Sequence, residues 1–216
     1  MQINTVIFDL DGTLLDTLED LHDGVNTVLK RYHYPERTLD EIRTFVGNGI
    51  RVLMKKALPP EVDEEEFEEI FASFKEYYTA HCQIKTKAYP QIMELLEKLK
   101  DKQIKMAIVS NKNDAAVKNL NEIYFKKYID TAIGQKEGIR KKPAPDSVFE
   151  AIRQLDSSTE TTLYVGDSEV DCATAKNAEI PCAIVAWGFR TREELEGENY
   201  QFMAQTPFDL LTYIEK

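Results

Sequence analysis

Hydrophobic and polar positions follow two rhythms along this chain. Short, nearly continuous apolar runs occur at 6–10 (VIFDL), 105–109 (KMAIV), 131–134 (TAIG), 162–166 (TLYVG) and 182–187 (CAIVAW). Runs of this length, rich in Val, Ile and Tyr, predict strands buried on both faces. Between them, apolar residues recur every three or four positions: Ile92, Leu95, Leu96 and Leu99; Val117, Leu120 and Ile123; Val148, Ala151, Ile152 and Leu155. That spacing predicts amphipathic helices, and PFDLLTYIE (207–215) reads as a closing one. Strands separated by single helices predict an α/β fold, a doubly wound parallel sheet of Rossmann-like type with helices on both faces.

The rhythm breaks between Asp16 and Ile84, where only helical spacing is found. Leu18, Leu21, Val25, Val28, Leu29 and Tyr32 make one face, and Phe67, Ile70, Phe71, Phe74 and Tyr78 another. A helical block inserted after the first strand is the economical description. The expected division is a core domain of residues 1–15 and 85–216 and a helical domain of residues 16–84. Gly47 and Gly49 in FVGNGIRVL mark a loop that opens a further helix. The acidic run EVDEEEFEE (61–69) reads as the first turn and solvated face of an amphipathic helix.

Composition narrows the function. A chain of 216 residues can bury a full core. Its formal net charge of −11 argues against nucleic acid as a partner, because phosphate backbones need basic surface. The three cysteines (Cys82, Cys172 and Cys182) form no CxxC pair, and the latter two sit in apolar surroundings as small core residues. With no membrane-length apolar run, the expectation is a cytoplasmic protein without a membrane partner. Phe and Tyr on the helical block fit either a core or an interface, so monomer and homodimer both stay open.

The candidate chemistry lies just past the strand ends. In a doubly wound sheet, ligands gather at the carboxyl ends. There the chain places Asp9 and Asp11; then Ser110, Asn111 and Lys112; then Lys142; then Asp167, Ser168 and Asp171. A lone Asp-Gly is an ordinary turn, and Asp16 reads as the cap of the next helix, but turns alone do not explain charge at the end of nearly every strand. The set suits phosphoryl transfer. A carboxylate can attack phosphorus and form an aspartyl phosphate, and the meeting of two anions needs a hard cation and a fixed ammonium. Asp9 and Asp167 would share Mg2+, and Lys142 is the opposing side chain. Asp9 and Asp11 lie two apart and point the same way on an extended chain; Gly12 lets the backbone turn closely beneath a phosphate.

DLDGT, SNK, KKPAPD and GDSEVD, in this order, resemble the four motifs of the haloacid dehalogenase-like hydrolase superfamily, and the match spans essentially the whole chain. FVGNGIRVLMKKAL and AYPQIMELLEKLKDKQIKMAIVSNK are similar to its phosphoglycolate phosphatase branch. The resemblance implies that Asp9 is the nucleophile and Asp11 the general acid and base. It implies that Thr13, Ser110, Asn111 and the catalytic Lys142 position phosphate. Asp9, the Asp11 carbonyl and Asp167 would hold Mg2+, with Asp171 supporting the metal directly or through water and Lys142. The 16–84 block would be a cap. If the substrate is a small phosphorylated acid, Arg51 in VGNGIR would bind its carboxylate; otherwise Arg51 is a solvent-exposed residue of a first helical turn. Lys112 reads equally as a surface lysine or a substrate contact. The expected function is a Mg2+-dependent phosphatase acting on a small phosphorylated metabolite. Alternatives are a phosphomutase or pyrophosphatase of the same superfamily, a receiver-like module, and a catalytically silent phosphate-binding protein. Thr13 favours a hydrolase over a mutase, the helical block is too large for a receiver, and the complete acidic set argues against a silent module.

Overall fold

In the computed structural model, which describes residues 2–216, the chain begins with β1 (Thr5–Phe8) and a two-residue strand, β2 (Leu15–Asp16). Helices α1 (Leu18–Arg31), α2 (Leu39–Phe45), α3 (Ile50–Ala57) and α4 (Glu64–His81) come next, and β3 (Lys87–Ala88) then pairs with β2. Thereafter the order is α5 (Ile92–Asp101), β4 (Lys105–Asn113), α6 (Asp114–Tyr124), β5 (Thr131–Gln135), α7 (Asp146–Gln154), β6 (Thr162–Gly166), α8 (Glu169–Asn177), β7 (Cys182–Val185), β8 (Phe202–Ala204) and α9 (Pro207–Ile214). The chain forms two compact units: residues up to Leu15 together with Ala88–Lys216, and Asp16–Lys87. The return crossing falls after Lys87 rather than after Ile84.

The α/β unit carries a six-stranded parallel sheet in the order β5-β4-β1-β6-β7-β8. Phe8 lies in register with Ile108 of β4 on one side and Val165 of β6 on the other. From β1 the chain steps outward through β4 and β5, returns across β1 to β6, and continues to β7 and β8. The strand order therefore reverses at β1, which opens a crevice at the carboxyl ends of β1, β4 and β6. Both faces of the sheet are buried. Val6 and Phe8 pack with Leu95, Leu96 and Leu99 of α5 and Leu210 and Leu211 of α9, whereas Ile7 packs with Val148, Ala151 and Ile152 of α7 and Cys172 and Ala175 of α8. Side chains alternate between faces, so a strand with two greasy sides reads as a continuous apolar run.

Strand bounds depart from the sequence reading: β1 ends at Phe8 rather than Leu10, and the two-residue strands β2 and β3 were not expected. β4 runs on to Asn113 through the polar residues Ser110–Lys112, and β7 stops at Val185, short of Trp187. The edge strand β8 is new. Its three residues carry too little pattern to predict, and a short edge strand limits the unpaired backbone that it exposes. Cys172 and Cys182 are buried in the sheet's core as free thiols, and Cys82 is buried in the helical unit.

The helical unit has its own core. Leu21, Val25, Val28 and Leu29 of α1 pack with Ile42, Leu53, Met54 and the α4 stripe of Phe67, Ile70, Phe71, Phe74 and Tyr78. The acidic run opens α4: Asp63 accepts the Glu66 N–H (2.9 Å), and Glu64–Glu66 fill a first turn whose unpaired N–H groups favour negative charge. Asp16 accepts the Leu18 N–H at the start of α1 (3.3 Å). The buried Asp20 carboxylate accepts the Lys85 and Thr86 N–H groups (3.0 and 2.8 Å) and the Thr86 hydroxyl (2.8 Å), tying α1 to the end of the insertion. No described helix is long and apolar enough to cross a membrane.

Phe74 is fully buried and stacks on Tyr78. Phe74→Ala should therefore destabilise the helical unit by about 3–5 kcal/mol, the range for a large core truncation. Urea denaturation would give the loss, and amide hydrogen exchange should accelerate across α1–α4.

Candidate active site

At the end of β1 the backbone turns at once. The Leu10 carbonyl accepts the N–H groups of Leu14 and Leu15 (3.0 and 2.9 Å), and Gly12 N–H donates to the Leu15 carbonyl (2.9 Å). Gly12 has φ of +86°, and a Cβ there would lie 2.5 Å from Asp167 Oδ2. Only glycine suits both the left-handed backbone and that close approach. The turn brings Asp9, Asp11 and Thr13 to the crevice, where the loop after β6 supplies Asp167 and the first turn of α8 supplies Asp171.

Asp9 Oδ1 accepts the Leu10 N–H (2.7 Å) and lies 2.9 Å from Lys142 Nζ, while Oδ2 has no hydrogen-bond partner among the described residues. Burial is the main reason that the Asp9 carboxyl is raised to about 7; the Lys142 ammonium opposes the shift, and Asp171 and Asp11 add to it. Asp167 is also held well above the usual carboxylate range, by burial first and then by Asp171 and Asp9. Its Oδ2 accepts the Phe189 N–H (2.8 Å) and its Oδ1 the Thr13 hydroxyl (3.2 Å). The segment after β7 also reaches the β1 turn, where the indole of Trp187 donates to the Thr13 carbonyl (3.0 Å).

Lys142 is 2 % exposed and donates to Asp171 Oδ1 (2.8 Å) and the Tyr164 hydroxyl (2.9 Å) as well as pairing with Asp9. Burial pulls the ammonium down, yet the Asp171 and Asp9 carboxylates outweigh it and hold Lys142 well above its usual value. Asp171, fully buried, is saturated. Oδ1 accepts Lys142 and the Tyr164 hydroxyl (2.8 and 3.1 Å), and Oδ2 accepts the N–H groups of Asp167 and Ser168 (3.2 and 3.1 Å) and the Ser168 hydroxyl (2.6 Å). Asn111 Nδ2 donates to the Lys142 carbonyl (3.1 Å), joining the end of β4 to this network, and the Ser110 hydroxyl accepts the Lys112 N–H (3.2 Å).

Carboxylate oxygens of Asp9, Asp167 and Asp171 lie within 4.8 Å of one another, so the three could hold a metal ion. An all-oxygen donor set suits a hard cation such as Mg2+. Asp9, with a free oxygen, and Asp167, with one acceptor bond per oxygen, have lone pairs to offer; Asp171 has its capacity taken by the donors around it.

Eight of the sequence-selected residues (Asp9, Asp11, Thr13, Ser110, Asn111, Lys142, Asp167 and Asp171) lie at the carboxyl ends of β1, β4 and β6, in the loop after β5 or in the first turn of α8. Arg51 lies in the helical unit, where its guanidinium pairs with Glu64 (2.9 Å) and Glu68 and stacks over the Phe67 and Phe71 rings. Sequence reading missed Tyr164 and left Lys112 open between a surface lysine and a substrate contact. Tyr164 sits in the middle of a fully buried strand, and a hydroxyl there must find a donor or acceptor; that was the available signal. Lys112 is buried, with Nζ 2.9 Å from Asp11 Oδ1, so Lys142 is not the only ammonium facing the acids.

A family model described as haloacid dehalogenase-like hydrolase matches residues 6–185. A phosphoglycolate phosphatase of Aquifex aeolicus is 31 % identical over 214 residues, covering 99 % of this chain and 97 % of that protein. Pyrophosphatase PpaX of Bacillus cereus is 29 % identical over 212 residues, covering 98 % and 96 %. A crystal structure from Lactobacillus delbrueckii subsp. bulgaricus, described as a candidate phosphoglycolate phosphatase, superposes with a TM-score of 0.93 at 35 % identity over 99 % of each chain. With a family match over most of its length, relatives aligned nearly end to end, and acids converging at the β1 crevice, this chain belongs to the haloacid dehalogenase-like hydrolase family, in its phosphoglycolate phosphatase-like branch.

Proposed function

We propose that the chain is a Mg2+-dependent phosphatase that cleaves a small phosphomonoester through an aspartyl phosphate on Asp9. The observation that carries this reading is the state of Asp9: one carboxylate oxygen is fixed by Lys142 and the other is free, inside a cluster of carboxylates at the switch point of the sheet. The Asp9 carboxylate attacks phosphorus, the bond from phosphorus to the ester oxygen breaks, and Asp11 gives its proton to the departing alkoxide. Water then attacks the phosphoryl group and yields its proton to Asp11. The bond from phosphorus to Asp9 breaks, and phosphate leaves. Thr13, Ser110, Asn111 and Lys142 bind the phosphoryl oxygens, and Asp171 holds Lys142 and the 167–168 backbone in place. Asp9, the Asp11 carbonyl and Asp167 would hold Mg2+, which when bound offsets the repulsion between nucleophile and phosphate.

These groups recognise what every phosphomonoester shares, so discrimination falls to the helical unit, acting as a cap. The names of the Aquifex and Lactobacillus relatives support phosphoglycolate as substrate. The name of the Bacillus relative supports pyrophosphate as the second reading. Assay of both with Mg2+, beside sugar phosphates and nucleoside monophosphates, separates them; release of phosphate from phosphoglycolate above all others is expected.

Asp9→Asn keeps the shape but removes the attacking charge and a metal ligand, so kcat should fall by about four orders of magnitude or more. Acid quenching of the wild-type enzyme during turnover should trap phosphate on Asp9 and on no other residue, as read by peptide mass spectrometry.

Metal should couple to pH. The carboxyls of Asp9 and Asp167 are raised above their unfolded value of about 3.9. Their contribution to stability is therefore full below that value; the Asp9 part is lost as pH rises through about 7, and the Asp167 part is lost as pH rises through its own raised value. Bound Mg2+ needs both groups ionised. The gain in Tm on adding MgCl2 should then be larger at pH of about 8 than at about 5.5, and chelation should abolish turnover. Calcium should substitute poorly, because it prefers more ligands at longer distances. Equal thermal gains at both pH values, or full activity in excess chelator, would count against the metal site.

Arg51 is the proposed contact for the carboxylate of phosphoglycolate. Binding would exchange its pairing with Glu64 and Glu68 for one with substrate, so the expected loss is modest. Arg51→Ala should lower kcat/KM for phosphoglycolate by about tenfold, within the scale of a charged hydrogen bond. It should have a smaller effect on an aryl phosphate without a carboxylate. Equal effects on both would remove Arg51 from substrate selection.

A further inference from the structure

We infer that Lys112 is a positioning residue for Asp11, fixing the acid–base carboxylate toward the departing oxygen. This inference rests on the phosphatase reading above and assigns a task to a side chain which that reading leaves without one. Lysine is rarely buried unless paired. Here the side chain is 6 % exposed, and Nζ lies 2.9 Å from Asp11 Oδ1, itself part of a side chain only 15 % exposed. A buried ion pair is weak evidence for stability, because desolvation of both charges opposes their attraction. What such a pair reliably does is fix geometry.

The backbone around Lys112 is built to hold it there. β4 would ordinarily end with its apolar residues at Val109. Instead it continues through a register irregularity against β5 between Val109 and Asn113. Gly134 on β5 makes the irregularity possible, since a Cβ there would lie 2.6 Å from both the Lys112 carbonyl oxygen and Asp114 Cα. Asp114 accepts the Gly134 N–H (3.0 Å), and Ser110 accepts the Lys112 N–H (3.2 Å). The main chain is thus pinned on both sides of Lys112, and its ammonium arrives at Asp11 from a defined base.

The two lysines divide the acids between them. Lys142 serves Asp9 and Asp171, whereas Lys112 serves Asp11. With Oδ1 of Asp11 engaged, Oδ2 is the oxygen left to carry the proton. A proton donor matters most when the leaving group is a strongly basic alkoxide and least when it is a stable nitrophenolate. A residue that orients the donor therefore leaves a signature that depends on the leaving group. Loss of general stability, or of attraction for phosphate, would not.

The test uses Lys112→Met and Lys112→Arg in the Mg2+-loaded enzyme. kcat/KM, which reports transfer of phosphate to Asp9, is measured for phosphoglycolate or another alkyl phosphate that the wild type hydrolyses, and for p-nitrophenyl phosphate. Lys112→Met should lower kcat/KM by about 10²-fold for the alkyl ester and by about threefold for the aryl ester. Lys112→Arg, which keeps the charge and a donor, should recover the alkyl ester rate to within about tenfold of wild type. Equal losses on the two esters would overturn the inference and make Lys112 a phosphate contact or a structural residue; no loss on either would overturn it as well. Failure of the parent reading would show elsewhere, in the unsubstituted enzyme, as phosphate trapped on a residue other than Asp9.

Discussion

One buried ammonium group sets the terms for the rest of the site. Lys142 Nζ lies within hydrogen-bond distance of Asp9, Asp171 and the Tyr164 hydroxyl, in a place almost without solvent. Acids this deep are costly to ionise, and burial together with mutual repulsion raises both Asp9 and Asp167. The ammonium offsets part of that repulsion and fixes one oxygen of Asp9, leaving the other free. In turn, Asp171 holds Lys142 with one oxygen and the 167–168 backbone with the other. A network of this kind adds little net stability against an apolar core of equal volume. Its consequence is order: every polar atom has one place to be.

The sheet explains why these groups meet. β1 lies between β4 and β6, and the strand order reverses on it, so loops from both halves of the fold diverge there and leave a crevice. Asp9, Asp11 and the β1 turn come from one side of that crevice, and Asp167 and Asp171 from the other. The segment after β7 carries no charged residue before Arg190, yet it fastens the arrangement through Trp187 to Thr13 and through the Phe189 N–H to Asp167. Rigid strands beneath a polar crevice supply the preorganisation that phosphoryl transfer needs.

The helical unit obeys different rules. Its core is apolar and aromatic, and its charges are paired across exposed helix faces: Arg51 and Lys55 of α3 with Glu64 of α4, and Arg51 with Glu68 as well. Pairs of this kind contribute little stability and exchange partners readily. That suits a surface whose proposed task is to discriminate among substrates.

By itself, the sequence determined the alternation of strand and helix, the inserted helical block and the position of the polar residues at the strand ends. These are local signals: apolar periodicity, and charge placed where a chain otherwise buries Val or Ile. The motif order also selected the family. Tertiary structure decided what local pattern does not encode. The strand order made Asp9 and Asp167 neighbours although they lie far apart in the chain. It gave Tyr164, one apolar-looking strand residue among several, a hydroxyl partner, and it turned Lys112 inward to Asp11 through an irregularity in β4 that Gly134 permits. The short strand β8 and the exact crossing at Lys87 were likewise beyond reach, since neither carries enough residues to make a period. Periodicity reports which face of an element is buried; which groups share a hydrogen bond depends on which elements become neighbours, and only the packed sheet fixes that.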